Sequence, residues 1–247
     1  VAGEDLSALM KREKGITPRH ALEIARQTLI ALNSGHEQGF IHRDVKPPNI
    51  MLRARIPKSE DNPFGVGVKV LDFGIASLAA EADEGGIAGT PTYMAPEQLE
   101  GERLDPRADL FAVGIILYEM ISGKRPFEGD TIQEIQTSVL HTNIAPMIRE
   151  LEDVPPQVRK LLTKALQVDR AKRFQSATEF IEAIEGSKAF KEPKSTPGWL
   201  MVASVLMAFT IAGETFFLME KRQEVRELKS QALLPGDRTA IEFRDTL

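Results

Sequence analysis

IHRDVKPPNIML, residues 41–52, is the stretch whose reading decides the rest. It brings a carboxylate (Asp44), a cation two residues on (Lys46) and an amide three beyond that (Asn49) into one short loop. Those three groups suit phosphoryl transfer. A carboxylate orients a hydroxyl and takes its proton, a cation neutralises charge on the moving phosphoryl group, and an amide oxygen ligates Mg²⁺. Alone, the trio would serve equally well as a polar turn. Two further stretches, in order and at sensible gaps, make the pattern specific: VLDFG at 70–74 and GTPTYMAPE at 89–97.

Together these motifs resemble the protein kinase family, and within it the bacterial serine/threonine kinases of eukaryotic type. The resemblance covers about residues 1–186. It implies an α+β fold, the mainly helical large lobe of a kinase, and transfer of the γ-phosphoryl group of ATP to protein Ser or Thr hydroxyls. The residue roles it implies are these. Asp44 orients the acceptor and takes its proton, Lys46 steadies the γ-phosphate, and Asn49 and Asp72 hold Mg²⁺. Thr90 positions Asp44 and Lys46, and Met51 lies beneath the adenine ring. His42 and Phe73 couple the loop to the metal turn at Gly74, while Asp109 anchors the loop backbone. Arg43 would pair with a phosphate on the activation segment, and Glu97 with Arg173 far downstream. Lys46 also points to Ser and Thr acceptors over Tyr.

Composition sets outer limits. The chain has 247 residues, 42% of them apolar, enough for a substantial core. Its net charge of −5, spread without long blocks, argues against nucleic acid as a main partner. There is no cysteine, so disulfides and thiolate metal sites are excluded. The chain opens on Val1 with no basic stretch and short apolar run, so no signal peptide is expected. No Gly-rich strand-turn-strand and no strand Lys with a helix Glu partner is present. The expectation is therefore a large lobe only, inactive alone, whose small lobe precedes Val1. If the natural protein lacks that lobe, the alternative is a kinase-like scaffold without catalysis.

Taken in order, VAGEDLSALM reads as a turn around Gly3 and a short helix. Thr17-Pro18 starts a second helix, a capping hydroxyl before proline at the first helical position. Leu22, Ala25, Leu29 and Leu32 then recur at helical spacing to about His36. His20 and His36 have no metal-spaced partner and read as helix-surface residues. Residues 50–52 read as a short strand whose return is Val66, Val68, Val70 and Leu71; Met51 reads as core, which is compatible with the place beneath the adenine ring that the resemblance implies. The connection RARIPKSEDNPFG at 53–65 is a polar surface insertion. Residues 75–88 are small and acidic, with no hydroxyl between Ser77 and Thr90. Glu81, Asp83 or Glu84 would engage Arg43 in place of a phosphate, or the stretch is a solvated acidic loop. Thr92 is a candidate for autophosphorylation. Residues 108–122 are apolar on all sides and too short to span a bilayer, hence a central core helix stopped by Gly123. Further helices are expected at 131–140, 156–168 and 177–184, the last announced by a Ser176–Glu179 capping box.

Residues 187–198 are charged and Pro-containing, a juxtamembrane linker. The composition then changes abruptly. WLMVASVLMAFTIAGETFFLM, 199–219, carries a single charge, Glu214, and is long enough for a bilayer core of about 30 Å. Trp199 at one end and Lys221-Arg222 at the other fit interface anchors, so one transmembrane helix against membrane lipid is expected. A soluble dimerisation helix is the competing reading. Ser204, Ala208 and Ala212 repeat every four residues, a small-residue stripe through which two copies could pair. Basic residues flank both ends, so charge gives no orientation. Because ATP is cytosolic, the kinase domain is expected in the cytoplasm and residues 220–247 outside, in a single-pass cell-membrane protein.

Overall fold

The computed structural model describes residues 3–13, 15–53, 65–72 and 91–190. All of them belong to one unit, Val1–Glu192. Phe73, Gly74, Glu81, Asp83, Glu84 and Thr90, most of the 53–65 insertion, and the segments at 199–219 and 220–247 lie outside the described residues.

Two elements carry the core. The first is helix α2, Pro18–His36, after the short α1, Leu6–Arg12. Its stripe of Leu22, Ala25, Leu29 and Leu32 is buried throughout. Thr17 does sit at its N-cap, but the hydroxyl caps nothing. Pro18 lacks an N–H, so one fewer donor needs satisfying there, and the first helical bond runs from the Ala21 N–H to the Thr17 carbonyl. The second core element is α4, Arg107–Ser122, which follows the short α3, Pro96–Leu99. Every residue from Ala108 to Tyr118 is buried. Each large aliphatic side chain removed from water in this way contributes about 1.5–3 kcal/mol. The helix ends at Gly123, whose φ of +71° only glycine adopts without strain, with its N–H returning to the Glu119 carbonyl.

Around this pair pack α5 (Ile132–His141), α6 (Ile144–Arg149), α7 (Pro156–Ala165) and α8 (Ala177–Gly186). Helix α2 lies against both α4 and α8, and α4 against α7. Phe111 of α4 stacks on Phe127, and Phe174 on Phe180 of α8. At the start of α8 the Ser176 hydroxyl accepts from the Glu179 N–H at 3.0 Å, as its motif predicts. The return arm differs: the Glu179 carboxylate takes the Gln175 N–H, one residue earlier than a reciprocal box requires.

A small sheet sits at one edge, in the order β1 (Gly3–Asp5), β2 (Ile50–Arg53), β3 (Gly67–Val70), all antiparallel. The turn expected around Gly3 is thus a strand. A side chain at Gly3 would meet the Leu52 carbonyl at 2.7 Å, so the close pairing of Gly3 with Arg53 requires glycine. Strand alternation sends Ile50 and Leu52 into the core and leaves half-buried Met51 on the opposite side, so Met51 is not a core residue. Sequence did not foresee Gln27 of α2, which completes the outer side of β3. Its Oε1 accepts from the Val68 N–H at 2.9 Å and its Nε2 donates to the Val66 carbonyl at 2.8 Å. One side chain thus meets an edge N–H of β3 and the carbonyl just before the strand.

Among the described residues no helix is long and apolar enough to cross a membrane.

Candidate functional site

The loop that follows α2 is held from beneath by one buried carboxylate. Asp109, 1% exposed, stands at the start of α4. Its Oδ2 accepts from the His42 N–H and its Oδ1 from the Arg43 N–H, both at 2.9 Å. His36 Nε2 lies 2.7 Å from the same Oδ2. His36 is therefore not a surface residue: its side chain is 7% exposed and braces the anchor. No local pattern could have revealed this, because Asp109 lies 73 positions away.

The backbone held in this way is unusual. Arg43 has φ +68° and Asp72 φ +54°, and they are the two non-glycine residues with positive φ among the described residues. Such conformations cost of order 1–3 kcal/mol each and persist where surrounding structure over-determines them, typically at functional sites. Arg43 directly precedes the loop carboxylate Asp44, and Asp72 follows β3. His42 links them. Its Nδ1 accepts from the Asp44 N–H at 3.3 Å, so its Nε2 must carry the proton that it donates to the Leu71 carbonyl at 2.8 Å. One neutral imidazole, fully buried, thereby couples the residue before Asp72 to Asp44.

The three polar groups of the loop converge. Lys46 Nζ lies 2.8 Å from Asp44 Oδ2, and Asn49 Nδ2 donates to that same oxygen at 3.1 Å and to the Asp44 carbonyl at 2.9 Å. Among the described residues Asp44 Oδ1 accepts from no group. The 3-10 turn at Pro47–Asn49 sets this spacing, with the Asn49 N–H closing onto the Lys46 carbonyl. Asn49 in turn accepts the Leu71 N–H at 2.9 Å, continuing the β2–β3 ladder by one step. That step brings Asn49 beside the residue preceding Asp72.

The donor chemistry fits Mg²⁺. Asn49 uses its amide nitrogen on Asp44, so its oxygen would be left for a hard cation, to which Asp72 could add a carboxylate. Among the described residues no cluster of three or more His, Cys, Asp or Glu side chains could hold a metal. A pair of oxygen ligands is what Mg²⁺ takes when substrate phosphates and water complete its octahedron.

The segment after residue 90 is tied down at several points. Arg173 and Glu97, 1% and 3% exposed, form a bidentate pair with Nη1–Oε1 at 2.7 Å and Nη2–Oε2 at 2.8 Å. Arg173 also donates to the Gln167 and Val168 carbonyls and lies over the Phe111 ring. Upstream, the Tyr93 hydroxyl donates to Glu119 Oε2 at 2.7 Å. Burial pushes the Glu119 carboxyl up from its ordinary value. Burial, with the neighbouring Glu119, likewise raises Tyr93. Thr92 is 4% exposed and its hydroxyl accepts from Arg125 at 3.3 Å, so it is no accessible acceptor in this arrangement.

The protein kinase domain, as a family profile, matches residues 1–183. The chain belongs to the protein kinase family. It is 40% identical over 189 residues to the serine/threonine-protein kinase pkn3 of Myxococcus xanthus, an alignment covering 73% of this chain and 34% of that protein. It is 36% identical over 196 residues to the serine/threonine-protein kinase PknA of Mycobacterium tuberculosis, covering 78% and 42%. It is also 36% identical over 184 residues to the serine/threonine-protein kinase PknB of Mycolicibacterium smegmatis, covering 72% and 28%. The chain thus spans well under half the length of these relatives.

Of the residues that the kinase resemblance singled out, His42, Arg43, Asp44, Lys46, Asn49 and Asp109 lie in one connected group that reaches Leu71, the residue before Asp72, and Glu97 and Arg173 lie in a second. Met51 lies on the half-buried side of β2. Phe73, Gly74 and Thr90 fall outside the described residues. Sequence reading placed His36 on the helix surface and did not single out Gln27, Glu119 or Gln98. Gln98 alone had a readable signal, since it lies three residues after the N-cap of α3, where a side chain can return to the cap.

Proposed function

We propose that residues 1–186 form the large lobe of a serine/threonine protein kinase that transfers the γ-phosphoryl group of ATP to protein hydroxyls. The observation that carries this reading is the meeting of Lys46 Nζ and Asn49 Nδ2 on one oxygen of Asp44, at 2.8 and 3.1 Å. With Oδ2 engaged, Oδ1 is the oxygen left to orient an acceptor hydroxyl and take its proton as the new O–P bond forms. Lys46 would neutralise charge on the transferred group. Asn49 and Asp72 would hold Mg²⁺, which would supply positive charge to offset that of the phosphates. Met51 would lie under the adenine ring and Thr90 would position Asp44 and Lys46. Phe73 and Gly74 would form the turn that presents Asp72. Glu81, Asp83 or Glu84 would engage Arg43 without a phosphate.

The domain reading continues with a linker at 187–198, a membrane span at 199–219 and an extracytoplasmic segment at 220–247, placing the kinase domain in the cytoplasm. The support is the 21-residue apolar run with its flanking Trp199 and Lys221-Arg222. Two copies would pair through Ser204, Ala208 and Ala212. Alkaline carbonate extraction tests the anchor: the protein should stay with membranes, and release into the supernatant would refute it.

The catalytic reading is tested by incubating the protein as its source cell makes it with ATP, Mg²⁺ and a mixed library of Ser, Thr and Tyr peptides. Mass spectrometry should find phosphate on Ser and Thr. Phosphate on Tyr alone, or on none, would refute it.

A further inference from the structure

We propose that Gln98 is a positioning residue for Asp44, clamping the peptide plane between Arg43 and Asp44; this rests on the kinase reading above. The plane needs such a clamp because Arg43 is left-handed at φ +68°, and among the described residues no strand or helix hydrogen bond pairs the plane's N–H or carbonyl. Its N–H, which belongs to Asp44, donates to His42 Nδ1 at 3.3 Å. Its carbonyl, which belongs to Arg43, accepts from Gln98 Nε2 at 2.8 Å. Both polar ends of the unit that leads into the reacting carboxylate are thus held by side chains. If the Gln98 arm is lost, the plane can rotate about its long N–H bond to His42, carrying the Asp44 Cα and its carboxylate with it.

The other arm of Gln98 gives the clamp a second consequence. Its Oε1 accepts from the Ala95 N–H at 3.0 Å. The neighbours fix this orientation, since the Ala95 N–H requires an acceptor and the Arg43 carbonyl a donor. Gln98 follows Glu97 directly, so the bidentate pair with Arg173 holds the base of the same short helix. A chain of contacts therefore runs from Arg173 through α3 to the catalytic loop. The 91–95 segment cannot shift without pulling on the Arg43 carbonyl. A Gln at the third position of a helix that only returned to its cap would have no need to touch the loop.

Two variants separate the clamp from ordinary capping, assayed in the protein as its source cell makes it. Gln98→Glu keeps an acceptor for Ala95 but sets a carboxylate against the Arg43 carbonyl. Gln98→Met fills a similar volume and removes both arms. The clamp predicts that each lowers kcat at least about tenfold, with KM for ATP changed less than about twofold. Hydrogen exchange should show the Asp44 amide exposed in both, and the Ala95 amide still protected in the Glu variant. A Gln98→Glu protein with wild-type kcat and an undisturbed Asp44 amide would reduce Gln98 to a helix cap and overturn the inference. A wild-type protein that transfers no phosphate would instead overturn the kinase reading, and this inference with it.

Discussion

Replacing Arg173 by Met should destabilise the domain severely, and the structure says why it should do more harm than replacing its partner. The pair contains two charge-assisted hydrogen bonds, at 2.7 and 2.8 Å, between groups nearly excluded from water. Each such bond contributes roughly 1.5–3 kcal/mol, and breaking a buried pair from one side costs about 3–5 kcal/mol. The two sides are unequal. Without Glu97, Arg173 retains the Gln167 and Val168 carbonyls and the face of Phe111. Without Arg173, the Glu97 carboxylate has no other hydrogen-bond donor among the described residues. Arg173→Met should thus fall near the upper end, about 4–5 kcal/mol, and Glu97→Gln near the lower, about 3 kcal/mol. At about 2–4 °C per kcal/mol for a domain of this size, the Arg173 variant should melt about 8–20 °C lower. Urea denaturation followed by far-ultraviolet circular dichroism on the 247-residue chain gives both values. The double variant Glu97→Leu with Arg173→Met should be more stable than Arg173→Met alone, because it removes the stranded charge. Strictly additive losses, or single losses under about 1 kcal/mol, would refute the reasoning.

Two further outcomes follow from the same geometry. Asp109→Asn presents one acceptor and two donors to three groups that need an acceptor or brace it, so an amide N–H of the loop loses its partner. A loss of about 1–3 kcal/mol is expected, with faster hydrogen exchange at the His42 and Arg43 amides, and unchanged exchange there would contradict it. Glu119 bears on pH dependence. Burial raises its folded-state pKa above the ordinary 4.5, so the folded chain holds this proton more tightly than the unfolded one. Its contribution is fully present below the unfolded value and is lost as pH rises through the folded value. Relative to Glu119→Gln, wild type should therefore lose stability between pH 4.5 and neutrality, read from paired urea midpoints. A constant difference across that range would refute it.

What the sequence discloses and what it hides divide along physical lines. The loop trio and the core helices were legible because their signals are local. Asp44, Lys46 and Asn49 lie within six positions, and α4 betrays its burial by lacking a polar face. The Arg173 partner of Glu97 was legible only through family resemblance, since nothing in a separation of 76 positions encodes the approach. His36 and Gln27 were misread or missed for the same reason. A polar residue on a helix looks solvent-facing until tertiary packing brings a carboxylate or a bare strand edge to it. Gly3 failed differently: glycine usually signals a turn, yet here it permits a strand to approach the Leu52 carbonyl. Thr17 satisfied the rule for a capping residue, but its hydroxyl makes no cap bond.

The most direct test of the account is the rate of phosphoryl transfer from ATP to a serine or threonine peptide by the Asp44→Asn variant, in the protein as its source cell makes it. Asparagine keeps the size of the side chain but cannot take the acceptor's proton. The rate should fall by about 10²–10⁴ with KM for ATP nearly unchanged. A variant that transfers phosphate at the wild-type rate would contradict the assignment of Asp44, and with it the reading of residues 41–52 on which the account is built.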